Sequence, residues 1–201
     1  MARGISKLLI GAGLLLLAAA LALTAYNVID ARRAAQSAAQ ALEALDRATA
    51  VSAPPAEEQP AYLADPDMPM PTVEVDGNAY IGTLAVPSLG LSLPVMSDWS
   101  YPQLRLAPCR YKGSAYRDDM ILAAHNYDSH FGRLGQLQAG DTVTFTDVDG
   151  NLFTYAVSQL EELPGTAIEQ MDAGDWDLTL FTCTLGGRSR VTVRCERTAD
   201  S

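Results

Sequence analysis

The chain has 201 residues, enough for one domain of ordinary size plus a tail, with 48% apolar residues and a formal net charge of −10. From Val73 onward nine Arg and Lys stand against seventeen Asp and Glu, a balance of −8. A surface this acidic repels phosphate backbones, which argues against nucleic acid as a partner.

The chain opens with Arg3 and Lys7 ahead of an uncharged run of Leu, Ala, Ile and Gly over 8–26, long enough to cross a bilayer. The positive-inside bias then places the N-terminus in the cytoplasm and the rest outside. Arg32 and Arg33 beyond the run, accompanied by Asp30, weaken that asymmetry. A cleaved signal peptide competes with this reading, since Ala18, Ala20 and Ala22 resemble a cleavage site. The helical pattern continues through 27–50 without a break, which favours an uncleaved anchor. Residues 1–27 are therefore read as a single-pass anchor in the cell membrane, with the following domain extracellular.

Residues 34–48 are Ala-rich with few charges and suit a helix with a shallow apolar face, either a stalk or a packing helix. Pro54, Pro55, Pro60, Pro66, Pro69 and Pro71 then break regular structure. Residues 28–72 read as a helical stalk and a Pro-rich, semi-extended, mobile linker.

A folded domain is expected over 73–201. Strands are predicted at 73–75, 80–86, 91–96, 120–124, 142–146, 152–159, 178–182 and 190–197. Asp76-Gly77-Asn78 and Asp149-Gly150-Asn151 supply hairpin turns. Short strands at close intervals, with few helical stretches, indicate an all-β barrel or sandwich. No internal repeat is visible.

Three cysteines, Cys109, Cys183 and Cys195, are an odd number, so an exported domain keeps at least one thiol unpaired. With His125 and His130 they form no CxxC pair and no close Cys/His cluster, so no metal and no cofactor is expected. Three local features carry chemistry. Thr179-Leu180-Phe181-Thr182-Cys183 is an apolar strand ending in a thiol, a rigid mount for a nucleophile, although a free Cys is commonly inert filling. Met120-Ile121-Leu122-Ala123-Ala124-His125 ends another apolar strand in an imidazole. Arg190-Val191-Thr192-Val193-Arg194 alternates arginines that could merely form a solvated face.

Together these residues resemble the sortase family, in which a TLxTC strand supplies the thiol, an upstream strand ends in His, and the strand after the thiol opens with Arg. TLFTC at 179–183 matches that motif fully. Tyr80 to Pro87 and Leu91 to Val95 look like the family's first two core strands, and the resemblance spans about 80–197. It implies a closed sortase-type β-barrel of about eight strands with short helices, preceded by the N-terminal membrane helix. It also implies a cysteine transpeptidase with Cys183 as nucleophile, His125 as general acid and Arg190 as oxyanion and backbone donor. Ala124 and Thr182, beside them, are expected to contact substrate. His130 is the rival histidine, and Arg188 and Arg194 are the rival arginines.

Sortases cleave an LPxTG-like sorting signal and pass the acyl group to an amine. The implied partners are thus surface proteins or pilins bearing such signals, with an amine from a cell-wall precursor such as lipid II or from a pilin lysine. Ala124 stands where the family commonly has Gly. The short connection 184–189 can add little to a substrate wall. Asp65-Pro66 resembles the lid of pilus-building sortases, but Asp67 replaces the expected aromatic. For Cys109 and Cys195 a disulfide and two buried thiols both remain open. The rival functions are a Cys/His hydrolase and a non-catalytic, surface-anchored β-domain.

Overall fold

The protein is represented by a computed structural model that describes residues 2–52 and 59–198. The Pro54–Pro55 part of the expected linker lies outside the described residues. The chain divides into two compact units, Met1–Arg33 and Ala34–Ser201, and the helix α1 (Ala2–Ser52) runs through the boundary between them. From Leu9 to Ile29 the large apolar side chains are exposed, and an 18-residue window reaches a mean hydropathy of 2.2. By length and composition α1 is long and apolar enough to cross a membrane.

In the second unit the remainder of α1 is a packing helix. Ala34, Ala38, Ala41 and Leu45, spaced by four, three and four residues, turn one face into the domain. Ala38 joins the main core, and Ala41 and Leu45 pack with Tyr80, Met96, Leu104 and Cys109. Small alanines let the helix backbone approach the barrel closely.

The strands are β1 (Val73–Val75), β2 (Asn78–Val86), β3 (Leu91–Met96), β4 (Cys109–Lys112), β5 (Met120–Ala123), β6 (Thr142–Asp147), β7 (Leu152–Pro164), β8 (Leu178–Cys183) and β9 (Ser189–Arg197). Between them lie two short helices, α2 (Tyr101–Leu104) and α3 (Ile168–Asp172). The strand order is β1-β2-β3-β4-β5-β8-β9-β7-β6, and β6 returns to pair with β2. That last pairing closes β2 to β9 into an eight-stranded barrel, with β1 as a short flap on β2. The barrel interior is filled by Ile81, Leu84, Leu122, Phe145, Phe153, Leu180 and Val193. Gly82, at positive φ where β2 changes partner, has no room for a Cβ against the Thr146 carbonyl.

The structure departs from the sequence reading in three places. Residues 109–112, for which no strand is predicted, form β4, since Pro108 and Gly113 bracket the segment as a loop and its strand character comes from pairing with β5 and with Met96 of β3. β7 continues to Pro164, beyond the expected end at 159, by way of a bulge between Val157 and Gln159. The linker expected to be mobile is, from residue 59 on, packed on the barrel. Tyr62 stacks on Tyr116 at 4.6 Å, and Met68 and Met70 reach the main core.

A protein beginning at Ala34 is therefore expected to be more stable than one beginning at residue 59. Losing the buried helix face lowers Tm by roughly 5–10 °C, for about 2 kcal/mol of lost apolar burial. Thermal denaturation of the two forms checks this.

Candidate active site

Three neighbouring strands bring the site together. β5 runs parallel to β8 in the register Met120↔Leu178 to Ala123↔Phe181. Carried on by two residues, that register sets His125 opposite Cys183. The zip does continue past the strand end: the Ala124 N–H donates to the Phe181 carbonyl at 3.2 Å, and Thr182 Oγ1 donates to the Ala124 carbonyl at 2.8 Å. On the other side β9 runs antiparallel to β8 and pairs Arg190 directly with Cys183. Adjacent strands lie about 4.8 Å apart, so imidazole, thiol and guanidinium stand side by side on one rim of the barrel.

All three are half-buried and line one cavity of about 330 Å³. Ala124 and Thr182 line it too. Thr182 is only 3% exposed and its hydroxyl proton is engaged by the Ala124 carbonyl, so it ties the two strand ends together beneath the site. Much of the remaining wall comes from Trp99, Tyr101 and Leu104 on and before α2, and from Pro164, Gly165, Ala167, Ile168 and Met171 on and before α3, with Tyr111, Ala123 and Phe181 from the strands. Sequence reasoning missed both wall segments. One signal was present: Trp99-Ser100-Tyr101-Pro102 puts two aromatics around Ser100, which caps α2 by accepting the Gln103 N–H at 3.3 Å.

His125 is held by a tightly wound loop. Its carbonyl accepts from the Phe131 N–H at 3.2 Å, and the Tyr127 carbonyl accepts from the N–H groups of His130 and Gly132, each at 2.9 Å. Phe131 is sunk in the core. A Cβ at Gly132 would stand 2.6 Å from the Asn126 carbonyl oxygen, so this loop closes only around glycine. The Tyr127 ring lies 5.1 Å from that of His125 and 5.5 Å from that of His130.

Arg190 is steadied by Nη1, which donates to the carbonyls of Gly187 and Ser189 at 3.0 Å each. Among the described residues its Nη2 and Nε make no hydrogen bond, which leaves those donors for a ligand in the cavity. The turn beneath it is closed by Thr184 with Ser189 and by Ser189 with Glu162. No residue of 184–189 lines the cavity. Residues 59–72, including Asp65 and Pro66, do not line it either.

The rivals fall elsewhere. His130 is 0% exposed, outside the cavity, with neither ring nitrogen in a hydrogen bond of good geometry. Burial first, then repulsion from His125, lowers its pKa to about 4, with the Ala34 backbone opposing the shift. Arg188 contributes only its carbonyl, which accepts from the Gly165 N–H at 2.9 Å. Arg194 is buried beneath α3. Cys109 and Cys195 are free, buried thiols in separate apolar clusters, so the disulfide left open by the sequence is not formed. Burial pushes each of their pKa values up to about 12, which keeps them protonated and unreactive. Among the described residues no group of three or more His, Cys, Asp or Glu side chains could hold a metal ion.

This arrangement can form and resolve an acyl thioester, since it sets a thiol between a proton donor and a permanent cation. Comparison with known proteins points the same way. The Sortase domain family matches residues 84–198. Sortase C1 from Streptococcus suis has a similar fold at 25% identity, with a TM-score of 0.52 over 61% of this chain and 74% of that one. Sortase C from Clostridium perfringens, at 20% identity, aligns over 82% of this chain and 91% of its own with a TM-score of 0.53. The sortase C2 of Group B Streptococcus pilus island 1 aligns at 23% identity over 63% and 77%, with a TM-score of 0.52. Among curated protein sequences none gives a match.

Two outcomes follow from the buried groups. A thiol reagent such as iodoacetamide should modify one cysteine per native chain, Cys183, and three after denaturation, as peptide mapping would reveal. His130, neutral in the fold, has a folded pKa below its unfolded value of about 6.5. Its contribution to stability is complete above about pH 6.5 and is lost as pH falls toward 4, where the folded form also takes up the proton. The Tm of the native protein should thus fall more steeply between pH 7 and pH 4.5 than that of His130→Leu.

Proposed function

This chain belongs to the sortase family, whose members are cysteine transpeptidases, and from that premise we propose that Cys183, His125 and Arg190 are its catalytic residues. The observation that carries the reading is the single cavity shared by all three, on three adjacent strands. The substrate is the sorting signal of an exported protein, of the LPxTG type. The apolar side chains of Leu104, Ile168 and Met171 and the ring of Trp99 suit its Leu and Pro. The enzyme is anchored by the N-terminal helix with its catalytic domain outside the cell.

In the first half-reaction the Cys183 thiolate adds to the carbonyl carbon of the Thr–Gly bond. The oxygen gains negative charge, and the free guanidinium donors of Arg190 bind it. His125 gives its proton to the departing amine, the C–N bond breaks, and a thioester remains on Cys183. In the second half an acceptor amine adds to the thioester carbonyl and loses a proton to His125, and the C–S bond breaks to restore the thiolate. The acceptor is the amine of a wall precursor or a pilin lysine. Ala124 keeps the cavity floor low, and Thr182 holds the strand ends that carry His125 and Cys183.

Incubating the protein with an LPxTG-type peptide and a glycine-type amine should give the transpeptidation product. Cys183→Ala should abolish it, and Arg190→Lys should lower kcat by about a hundredfold or more, because the planar donor fork is lost. Wild-type turnover by Cys183→Ala would rule out the assignment. Peptide cleaved at the same rate with and without amine, with no amine incorporated, would instead mark a hydrolase.

A further inference from the structure

We infer that Arg194 is a positioning residue that holds the apolar wall of the catalytic cavity at its working height, and so governs how tightly the peptide substrate is bound. The inference rests on the reading of the cavity given above. Arg194 is 2% exposed, on the same strand as Arg190 and four residues on. Its Nε donates to Glu161 Oε1 at 2.8 Å, and Nη1 donates to Thr179 Oγ1 at 3.0 Å. The other two bonds leave the barrel sheet. Nη1 also donates to the Met171 carbonyl at 2.8 Å, and Nη2 to the Gln170 carbonyl at 2.7 Å.

Those two carbonyls belong to the last turn of α3, which has only five residues and an N-terminus without a side-chain cap. A helix this short has no stability of its own in water. Its place is set by what grips it. Arg194 grips it from beneath, through carbonyls that would otherwise lack partners, and Lys112 grips Asp172 from outside at 2.7 Å. The outer pair is solvent-exposed and contributes little. The buried fork therefore dominates.

The opposite face of α3 is the cavity wall. Met171 takes part in both: its carbonyl accepts from Arg194, and the residue lines the cavity with Ala167 and Ile168. Ile168 is 61% exposed, an apolar side chain held at the cavity mouth instead of folded into the core. A guanidinium can reach Glu161, Thr179 and two carbonyls at once because its donors spread in one plane. A lysine ammonium at the same position keeps the charge for Glu161 but cannot span all four.

The test compares the full chain in detergent with Arg194→Lys, which keeps the ion pair, and with Thr179→Val, a milder variant that removes one acceptor. Steady-state kinetics with an LPxTG-type peptide should show KM raised about tenfold in Arg194→Lys, with kcat within about threefold of wild type. Thr179→Val should shift KM the same way, by about two- to threefold. The rate at which iodoacetamide, too small to need the wall, alkylates Cys183 should be unchanged. Hydrogen exchange of amides 167–173 should quicken while that of β8 and β9 stays slow. Unchanged KM in both variants, or unchanged exchange over 167–173, overturns the inference. If the wild-type chain turns over no peptide, the functional reading fails, and the exchange measurement still decides whether Arg194 holds the wall.

Discussion

The parallel pairing of β5 with β8 is the constraint on which the rest of the site depends, because no local interaction could bring His125 within reach of Cys183. The two residues are 58 positions apart, and their strands join through a connection that contains two further strands and a helix. The closed barrel pays this entropic cost through its core, with Leu122 on β5 and Leu180 on β8 both fully buried in the main cluster. The Thr182–Ala124 hydrogen bond then carries the register past the point where the strands end. A slip of one residue would turn His125 away from the cavity that Cys183 lines.

Rigidity at the site is layered outward from that pairing. The glycine-closed loop over 125–132 fixes the imidazole, and the turn over 184–189 fixes the guanidinium through Gly187 and Ser189. α3, gripped from below, supplies the apolar wall, and Leu104 at the end of α2 supplies its counterpart. The packing half of α1 covers the barrel near β4 and the histidine loop, so this part of the helix belongs to the domain. Two of the three thiols are sealed in separate clusters, which leaves Cys183 as the one cysteine that lines the cavity.

Much of this was legible in the sequence, by two routes. The strands and hairpin turns follow from patterning and turn residues, which left barrel and sandwich both open; the closed barrel and the three strand-end residues were legible only through the family resemblance that the TLFTC run carries. β4 was not legible, since Pro108 and Gly113 bracket it as a loop and only its pairing with β5 and β3 makes it a strand. The helix over 34–48 stayed ambiguous because alanine serves equally as a good helix former in a stalk and as a small contact residue in a packed face. Arg194 looked like the solvated side of an edge strand. Its burial is decided by carbonyls of Gln170 and Met171, 24 and 23 residues away in a segment with no strong pattern of its own.

In the proposed reaction the acyl group resides on the Cys183 sulfur, and intact-mass spectrometry with peptide mapping reads that directly. The protein is mixed with an LPxTG-type peptide in the absence of amine and quenched in acid. The account predicts a mass gain equal to the peptide up to its Thr, carried on Cys183 alone and strongly reduced in His125→Ala. An acyl group found on Cys109, Cys195 or a non-cysteine residue, or peptide cleavage with undiminished rate in a chain lacking the Cys183 thiol, would contradict it.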